Sequence, residues 1–257
     1  MPFYQTDTLR IHYRIDGPEH APVLVLLNSI ATDLSVWGEV TDELRQSMRI
    51  LRYDARGQGE TTAPDGPYSI AMLAQDLVSL LDGLDLSKVH LCGLSLGAMV
   101  AMQMATAYPQ RVDRLVLCNT AAQVGPPESW DMRAAAVREH GMQAVRPAVL
   151  ERWLSADFRE RQPQAAQRVV EMALASAPAG YIGSCAAIRD MDQRISIGAI
   201  AAPVLVVGSA SDAATPPADG RYIAGAIGGA RYVELPGGHL SNVEEPARLA
   251  AEIRNFL

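Results

Sequence analysis

The sequence predicts an α/β fold in which a mostly parallel β-sheet is flanked by helices. The chain has 257 residues, of which 49% are hydrophobic and 20% charged, a mixture that can bury a large core. Short, continuous apolar runs alternate along the chain with longer segments of helical periodicity. Apolar runs of this kind are typical of strands that are buried on both faces of a parallel sheet.

Eight strand-like segments can be placed in order. The first two, residues 3–6 and 9–15, are separated by only two residues, which predicts an antiparallel hairpin at the sheet edge. Six apolar runs follow, at residues 23–27, 50–53, 89–92, 115–118, 204–207 and 232–235. Helical periodicity predicts helices at residues 36–46, 70–84, 96–107, 218–226 and 243–257.

The alternation stops between residues 121 and 197. This stretch opens with Val-Gly-Pro-Pro and then reads as helical throughout. We therefore expect a helical cap, or lid, at residues 121–197, inserted after the sixth strand, with residues 1–120 and 198–257 forming the core domain. The alternative is a set of surface helices that extends the cover of the sheet.

Charge and cysteine content exclude several classes of protein. The net charge is 22 − 29 = −7, and Lys88 is the single lysine, so we expect no binding to nucleic acid. No apolar run approaches the roughly 20 residues of a membrane span, and the N-terminus does not resemble a secretory signal. Cys92, Cys118 and Cys185 lack metal-binding spacing, so we expect free thiols, no metal site and a cytoplasmic location.

Residues 93–97 read Gly-Leu-Ser-Leu-Gly, which matches the Gly-x-Ser-x-Gly nucleophile elbow. A predicted strand runs directly into this turn and a predicted helix runs directly out of it, as the elbow requires. A serine on so tight a turn needs neighbours without bulk, which Gly93 and Gly97 supply. Ser95 is therefore the candidate nucleophile, and an idle serine in a glycine-rich turn is the alternative.

A serine hydroxyl needs a base that is held by a third group. Enzymes with this elbow carry the serine, the acid and the histidine in that order along the chain. His239 follows the last predicted strand, and Asp212 follows the penultimate one. The other position for the acid, after the strand that ends at Cys118, holds Asn119, which favours Asp212. Residues 241–244, Ser-Asn-Val-Glu, fit a helix capping box.

The tetrahedral intermediate of acyl transfer needs two backbone N–H donors. We assign one to Leu96, directly after the nucleophile, and the other to Ile30, in the loop after residues 23–27. This chemistry needs neither a cofactor nor a metal ion.

Together these motifs resemble the α/β-hydrolase superfamily over nearly the whole chain. Asn28-Ser29 stands where most members carry His-Gly, and this feature is similar to the 3-oxoadipate enol-lactonases. Four further segments carry the same resemblance: residues 53–57, 66–70, 187–192 and 239–242. Gln58 departs from the pattern, since many relatives carry histidine there.

The resemblance implies hydrolysis of a five-membered enol lactone with an acetate arm to 3-oxoadipate, in the β-ketoadipate pathway of bacterial aromatic catabolism. Another lidded esterase or a cofactor-free perhydrolase is the alternative among enzymes, because the same triad serves both. A non-catalytic ligand-binding protein on the same fold is the alternative outside catalysis.

A small anionic lactone needs a cationic partner for its carboxylate, and arginine presents a planar fork that suits it. The predicted cap holds nine arginines and no lysine. Trp130 and Arg133 are three residues apart in a helix-like segment, which places both on one face. We assign substrate binding to Trp130 and Arg133, with Arg189 and Arg138 as further candidates. A solvated helix arginine is the alternative for each.

Overall fold

The structure is a computed structural model that describes residues 2–257. Its centre is one eight-stranded sheet in the order β1-β2-β4-β3-β5-β6-β7-β8. The strands are β1 (Phe3–Gln5), β2 (Arg10–Asp16), β3 (Val23–Leu27), β4 (Arg49–Tyr53), β5 (Val89–Leu94), β6 (Val112–Cys118), β7 (Val204–Ser209) and β8 (Arg231–Leu235). Strands β3 to β8 are parallel to one another, and the predicted mostly parallel sheet is confirmed.

The predicted hairpin forms the sheet edge. β1 pairs antiparallel with β2, and Phe3 lies opposite His12. β2 pairs antiparallel with β4, so the hairpin joins the parallel strands through β4. In the middle of the sheet, every residue of β5 and β7 is buried, which explains their continuous apolar sequences.

Helices flank the sheet. They are α1 (Gly38–Leu44), α2 (Ile70–Gly83), α3 (Leu96–Ala107), α4 (Pro127–His140), α5 (Arg146–Ala148), α6 (Ala156–Arg161), α7 (Pro163–Ala175), α8 (Pro178–Arg189), α9 (Pro217–Ala226), α10 (Ser241–Glu244) and α11 (Pro246–Phe256). α3 packs on β5 and β6, with α2 beside it, while α1 packs against α11. No helix within residues 2–257 is long and apolar enough to cross a membrane.

Two predicted helices are interrupted. The segment predicted at residues 36–46 begins as a 3-10 turn, Leu34–Trp37, and continues as α1. The segment predicted at residues 243–257 is divided into α10 and α11 at Glu245, whose backbone is not helical (φ −134°, ψ 50°). Pro246 follows it, and a proline disfavours helical geometry in the preceding residue.

Five of the helices, α4 to α8, lie between β6 and β7, where the sequence predicts an insert. Regular helix begins at Pro127, the last residue of the Val-Gly-Pro-Pro opening, and α8 ends at Arg189, so residues 190–195 are not helical, whereas the sequence predicts helix there. A π-helical turn, Val149–Trp153, connects α5 to α6. α4 packs against α8, so the first and last helices of this segment are neighbours. We refer to residues 121–197 as the helical insert.

Candidate active site

Ser95 occupies a strained turn between β5 and α3. Its backbone has φ 54° and ψ −114°, outside the regions that a residue with a side chain adopts easily. Two hydrogen bonds hold this conformation, from the Ser95 N–H to Cys118 O at 2.9 Å and from Thr120 Oγ1 to Ser95 O at 3.0 Å. The neighbouring strand β6 therefore fixes the elbow.

The two glycines of the elbow are needed for close approach. A Cβ atom on Gly93 would lie 2.4 Å from the backbone of Gly97, because the chain turns back on itself. A Cβ atom on Gly97 would lie 2.3 Å from the carbonyl oxygen of Leu27, at the end of β3. The start of α3 is thus pressed against the loop that carries Ile30.

Asp212 and His239 form a buried pair on the loops that follow β7 and β8. His239 Nδ1 lies 2.9 Å from Asp212 Oδ2, and both side chains are shielded from solvent. The two loops are tied together by a hydrogen bond from the Ser211 N–H to Gly237 O at 2.9 Å. The structure brings together the acid and the histidine that the sequence predicts.

The hydrogen bonds that Asp212 accepts stabilise its ionised form. The N–H groups of Ala214 and Thr215 donate to Oδ1 at 2.8 and 2.9 Å. Asn119 Nδ2 and Thr215 Oγ1 donate to Oδ2 at 3.0 and 2.9 Å. Burial by itself would raise the pKa of Asp212, but His239 and these donors lower it to about 2. The group is a carboxylate at neutral pH.

A carboxylate can only accept hydrogen bonds, so the proton of a neutral His239 must be on Nδ1. Nε2 is then a free base. His239 lines the same pocket as Ser95. Within residues 2–257 no hydrogen bond joins the Ser95 hydroxyl to another side chain, and such bonds are often long until substrate binds. The arrangement can deprotonate a hydroxyl group in the pocket.

The two residues predicted to supply oxyanion donors lie close to Ser95. Leu96 is the first residue of α3, where an N–H group has no acceptor within the helix and is available to an anion. Ile30 lines the pocket, and its loop is held by the contact of Gly97 described above. Gln58 supports the same loop, since its Nε2 donates to Ser29 O at 2.9 Å.

The pocket has a volume of about 550 Å³, which includes the space at its opening to solvent. The core contributes Ile30, Ser95 and His239, together with Met99 and Thr215. The helical insert contributes Trp130, Arg133, Arg152, Trp153 and Ile188. Residues from distant parts of the sequence therefore line one pocket, to which the insert contributes two tryptophans and two arginines.

Two arginines line the pocket, and only one was predicted. The Arg133 guanidinium lies 4.5 Å from the centroid of the Trp130 ring, a cation–π contact that confirms the shared face. Arg152 donates through Nη2 to Ala213 O at 3.2 Å. Burial and the nearby positive charge of Arg133 lower the pKa of Arg152. Sequence reasoning missed Arg152, for which the adjacent Trp153 was the one available signal.

The other two candidate arginines do not line this pocket. Arg189 is bound by Asp131 and Asp190 at 2.7 Å each, so its charge is already neutralised. Arg138 is exposed and, with Arg189, lines a separate hollow behind Trp130. Arg152 replaces both as the second candidate for binding an anion.

Among the described residues, no cluster of three or more histidine, cysteine, aspartate or glutamate side chains has suitable geometry to hold a metal ion. The three cysteines are buried free thiols, as predicted. A second histidine–aspartate pair is buried outside the pocket, with His12 Nδ1 2.6 Å from Asp54 Oδ2. The Asp54 carboxylate also accepts the N–H groups of Leu34 and Glu60.

The sequence model of the Alpha/beta hydrolase family matches residues 24–252, and the chain belongs to this family. The chain is 32% identical to 3-oxoadipate enol-lactonase 2 of Acinetobacter baylyi, over 95% of this chain and 93% of that protein. Its fold matches the crystal structure of the enol-lactonase from Burkholderia xenovorans, with a TM-score of 0.97, 41% identity and 99% of both chains covered. A thermophilic esterase from Thermogutta terrifontis, solved with malate bound, is 28% identical, with a TM-score of 0.91 over 96% of this chain and 92% of that one.

Proposed function

We propose that the chain is a serine hydrolase of carboxylic esters and that its substrate is 3-oxoadipate enol-lactone, which it opens to 3-oxoadipate. The observation that carries the proposal is the buried Asp212–His239 pair, which lines one pocket with Ser95 on its strained turn. The two similar enol-lactonases support the substrate. The β-ketoadipate pathway of aromatic catabolism and a cytoplasmic location follow from that substrate as part of the proposal.

In this mechanism Ser95 Oγ attacks the lactone carbonyl while His239 Nε2 accepts its proton. The N–H groups of Ile30 and Leu96 stabilise the oxyanion. The ring opens as the acyl C–O bond breaks, and His239 returns the proton to the leaving enol oxygen. Water then attacks the acyl-enzyme with His239 again as the base. The bond from the acyl carbon to Ser95 Oγ breaks as His239 returns the proton to Oγ, and the released enol tautomerises to the ketone of 3-oxoadipate. Asp212 holds the imidazole tautomer and stabilises its positive charge.

The helical insert acts in this proposal as a cap that supplies the walls of the site. Trp130 and Trp153 are both buried and form apolar surfaces suited to a flat ring. Arg133 and Arg152 add two positive charges to the pocket lining next to these tryptophans. In the described part of the chain, neither arginine forms an ion pair with an acidic side chain. Their mutual repulsion would be relieved by a bound anion, which favours a substrate with a carboxylate arm. The malate-bound esterase, whose ligand is a dicarboxylate, is consistent with this.

The test compares the anionic lactone with a neutral aryl acetate. A hydrogen bond to a charged group contributes about 1.5–3 kcal/mol, or roughly 10- to 150-fold in rate. Arg133→Ala should lower kcat/KM for the lactone by that factor and barely change it for the aryl acetate. Arg138→Ala, on the same helix but outside the pocket, is the matched control and should leave both rates unchanged.

Equal losses on both substrates would show that Arg133 supports the insert rather than the anion. If the purified protein hydrolyses aryl acetates well and the lactone poorly, the result would favour the alternative function, another lidded esterase or a cofactor-free perhydrolase. A protein that no serine-reactive fluorophosphonate labels would favour a non-catalytic binding protein.

A further inference from the structure

The carboxylate of Glu244 connects the His239 loop to the helical insert. Glu244 Oε1 accepts the Ser155 N–H at 2.8 Å, and Oε2 accepts the Ser155 hydroxyl at 2.6 Å. Oε2 also accepts the N–H of Gly238 at 3.0 Å. Three donors from two distant parts of the chain thus share one carboxylate, which makes each bond charge-assisted.

A second hydrogen bond flanks His239 on its other side. The N–H of Leu240 donates to the carbonyl oxygen of Trp153 at 3.2 Å. The residues before and after His239 are therefore both tied, directly or through Glu244, to residues 153–155 of the insert. Trp153 and its neighbour Arg152 line the pocket. The same short segment consequently holds the histidine loop and forms part of the substrate wall.

Glu244 makes these contacts in place of the predicted capping box. In that box its carboxylate would accept the N–H of Ser241, and the Ser241 hydroxyl would cap the helix. Instead, the Ser241 hydroxyl is buried with no partner in the described part of the chain. The capping-box expectation was wrong because the tertiary donors on Ser155 and Gly238 take the carboxylate.

The same contacts explain why the residue directly before His239 is a glycine. A Cβ atom on Gly238 would lie 2.8 Å from both Glu244 Oε1 and the Ser155 nitrogen, and 3.1 Å from Trp153 O. Position 238 therefore has to be small so that the insert can dock on the loop. At Gly237 a Cβ atom would also lie 2.8 Å from Glu244 Oε2, and the φ of 92° favours glycine for its backbone conformation as well.

We propose that Glu244 is a positioning residue, which holds His239 in register with the pocket wall formed by Arg152 and Trp153. The inference rests on the proposed role of His239 as the base. Glutamine at position 244 would offer one acceptor oxygen and one NH2 group to three donors, so at least one donor would face another donor. The loop would then shift, and a displacement of about 1 Å at a catalytic group can cost about 100-fold in rate.

The experiment measures kcat on a neutral aryl acetate for Glu244→Gln and for a matched control, Glu245→Gln. The control removes the same charge one residue away, where the Glu245 carboxylate forms an ion pair with Arg248 at 3.2 Å. Each rate is expressed per active site, counted from the final stoichiometry of fluorophosphonate labelling. We expect kcat to fall about 10- to 100-fold in Glu244→Gln and less than twofold in the control.

Ser155 provides a second, independent readout. Ser155→Thr keeps the hydroxyl donor and should retain most of the activity, whereas Ser155→Ala should lose part of it. Because both residues act through one contact, Glu244→Gln with Ser155→Ala should be no slower than Glu244→Gln alone. The melting temperature of each variant is measured, so that only rates of folded protein are compared.

A fall in melting temperature with an unchanged kcat per labelled site would assign Glu244 a purely structural role and overturn the proposal. The proposal would also be overturned by equal kcat values in Glu244→Gln and Glu245→Gln, or by fully additive losses of kcat in the double variant. Ser95→Ala is assayed alongside. If it remains as active as the wild type, the proposed function itself fails; if it is inactive while Glu244→Gln behaves as Glu245→Gln, only the positioning role fails.

Discussion

Replacing Asp212 by asparagine tests the acid with little change in shape. In the wild type, Oδ1 accepts two backbone N–H groups, and Oδ2 accepts donors from Asn119, Thr215 and His239. An asparagine can offer its oxygen to only one of these two sets. If the oxygen stays with the backbone donors, its NH2 group faces His239 Nδ1 and favours the tautomer with the proton on Nε2.

That tautomer cannot accept a proton from Ser95. Loss of the correct tautomer in a serine triad costs about 10⁴ in kcat, and we expect Asp212→Asn to lose between about 10³ and 10⁴. The assay is hydrolysis of a neutral aryl acetate at pH 7, with folding checked by circular dichroism. A variant that keeps a tenth of the wild-type kcat would refute the argument and move the acid role elsewhere.

The same substitution has a consequence for stability that depends on pH. The pKa of Asp212 is lowered from 3.8 to about 2 in the folded protein, a difference that corresponds to about 2 kcal/mol. Since the folded pKa is the lower one, this stabilisation is present above about pH 4 and is lost as the pH falls towards 2. The free energy of unfolding of Asp212→Asn should therefore differ most from that of the wild type near neutral pH. A gap that stays constant between pH 6 and pH 2 would contradict this account.

Two other substitutions test the elbow. Ser95→Ala should remain folded and lose several orders of magnitude in kcat, because members of a triad act as a unit; retention of a tenth of the activity would exclude Ser95 as the nucleophile. Gly97→Ala would place a Cβ atom 2.3 Å from Leu27 O, and we expect it to lower the free energy of unfolding by about 1–3 kcal/mol. Its control is Gly225→Ala in α9, where nothing lies within 4 Å and a helical alanine should be neutral or stabilising. Equal effects of the two glycine changes, in denaturant titrations, would show that the contact with β3 is unimportant.

The residues that the sequence predicts to lie together, and that the structure does bring together, are those whose positions depend on local patterns. Ser95 lies between two glycines, and Asp212 and His239 each follow an apolar run at the end of a strand. In a parallel sheet these strand ends share one edge, so the order of strands is enough to bring the three side chains near each other. Asn119, whose amide cannot serve as the acid, donates a hydrogen bond to Asp212 instead.

The residues that sequence reasoning missed depend on packing between distant segments. The sequence does not separate the nine arginines of the insert reliably, because the contacts that distinguish them form in the folded chain. Arg189 is neutralised by Asp131, which lies 58 residues earlier and is brought close because α4 packs against α8. Arg152 reaches the pocket from the π-helical turn, which no local pattern predicted.

The site consists of the candidate catalytic residues on the sheet and a pocket wall on the helical insert. Contacts between these two parts limit which substitutions can alter one part without disturbing the other. Arg152 belongs to the wall, yet it donates to Ala213 O, next to Asp212. Glu244 belongs to the core, yet two of its three hydrogen bonds go to Ser155 in the insert. A substitution on the pocket face of α4 can alter the wall without touching these bonds, whereas one at residues 152–155 changes the wall and the histidine loop together. Substrate preference should therefore be easier to change from Trp130 and Arg133 than from Arg152 and Trp153, where any gain in selectivity would be accompanied by a loss in kcat.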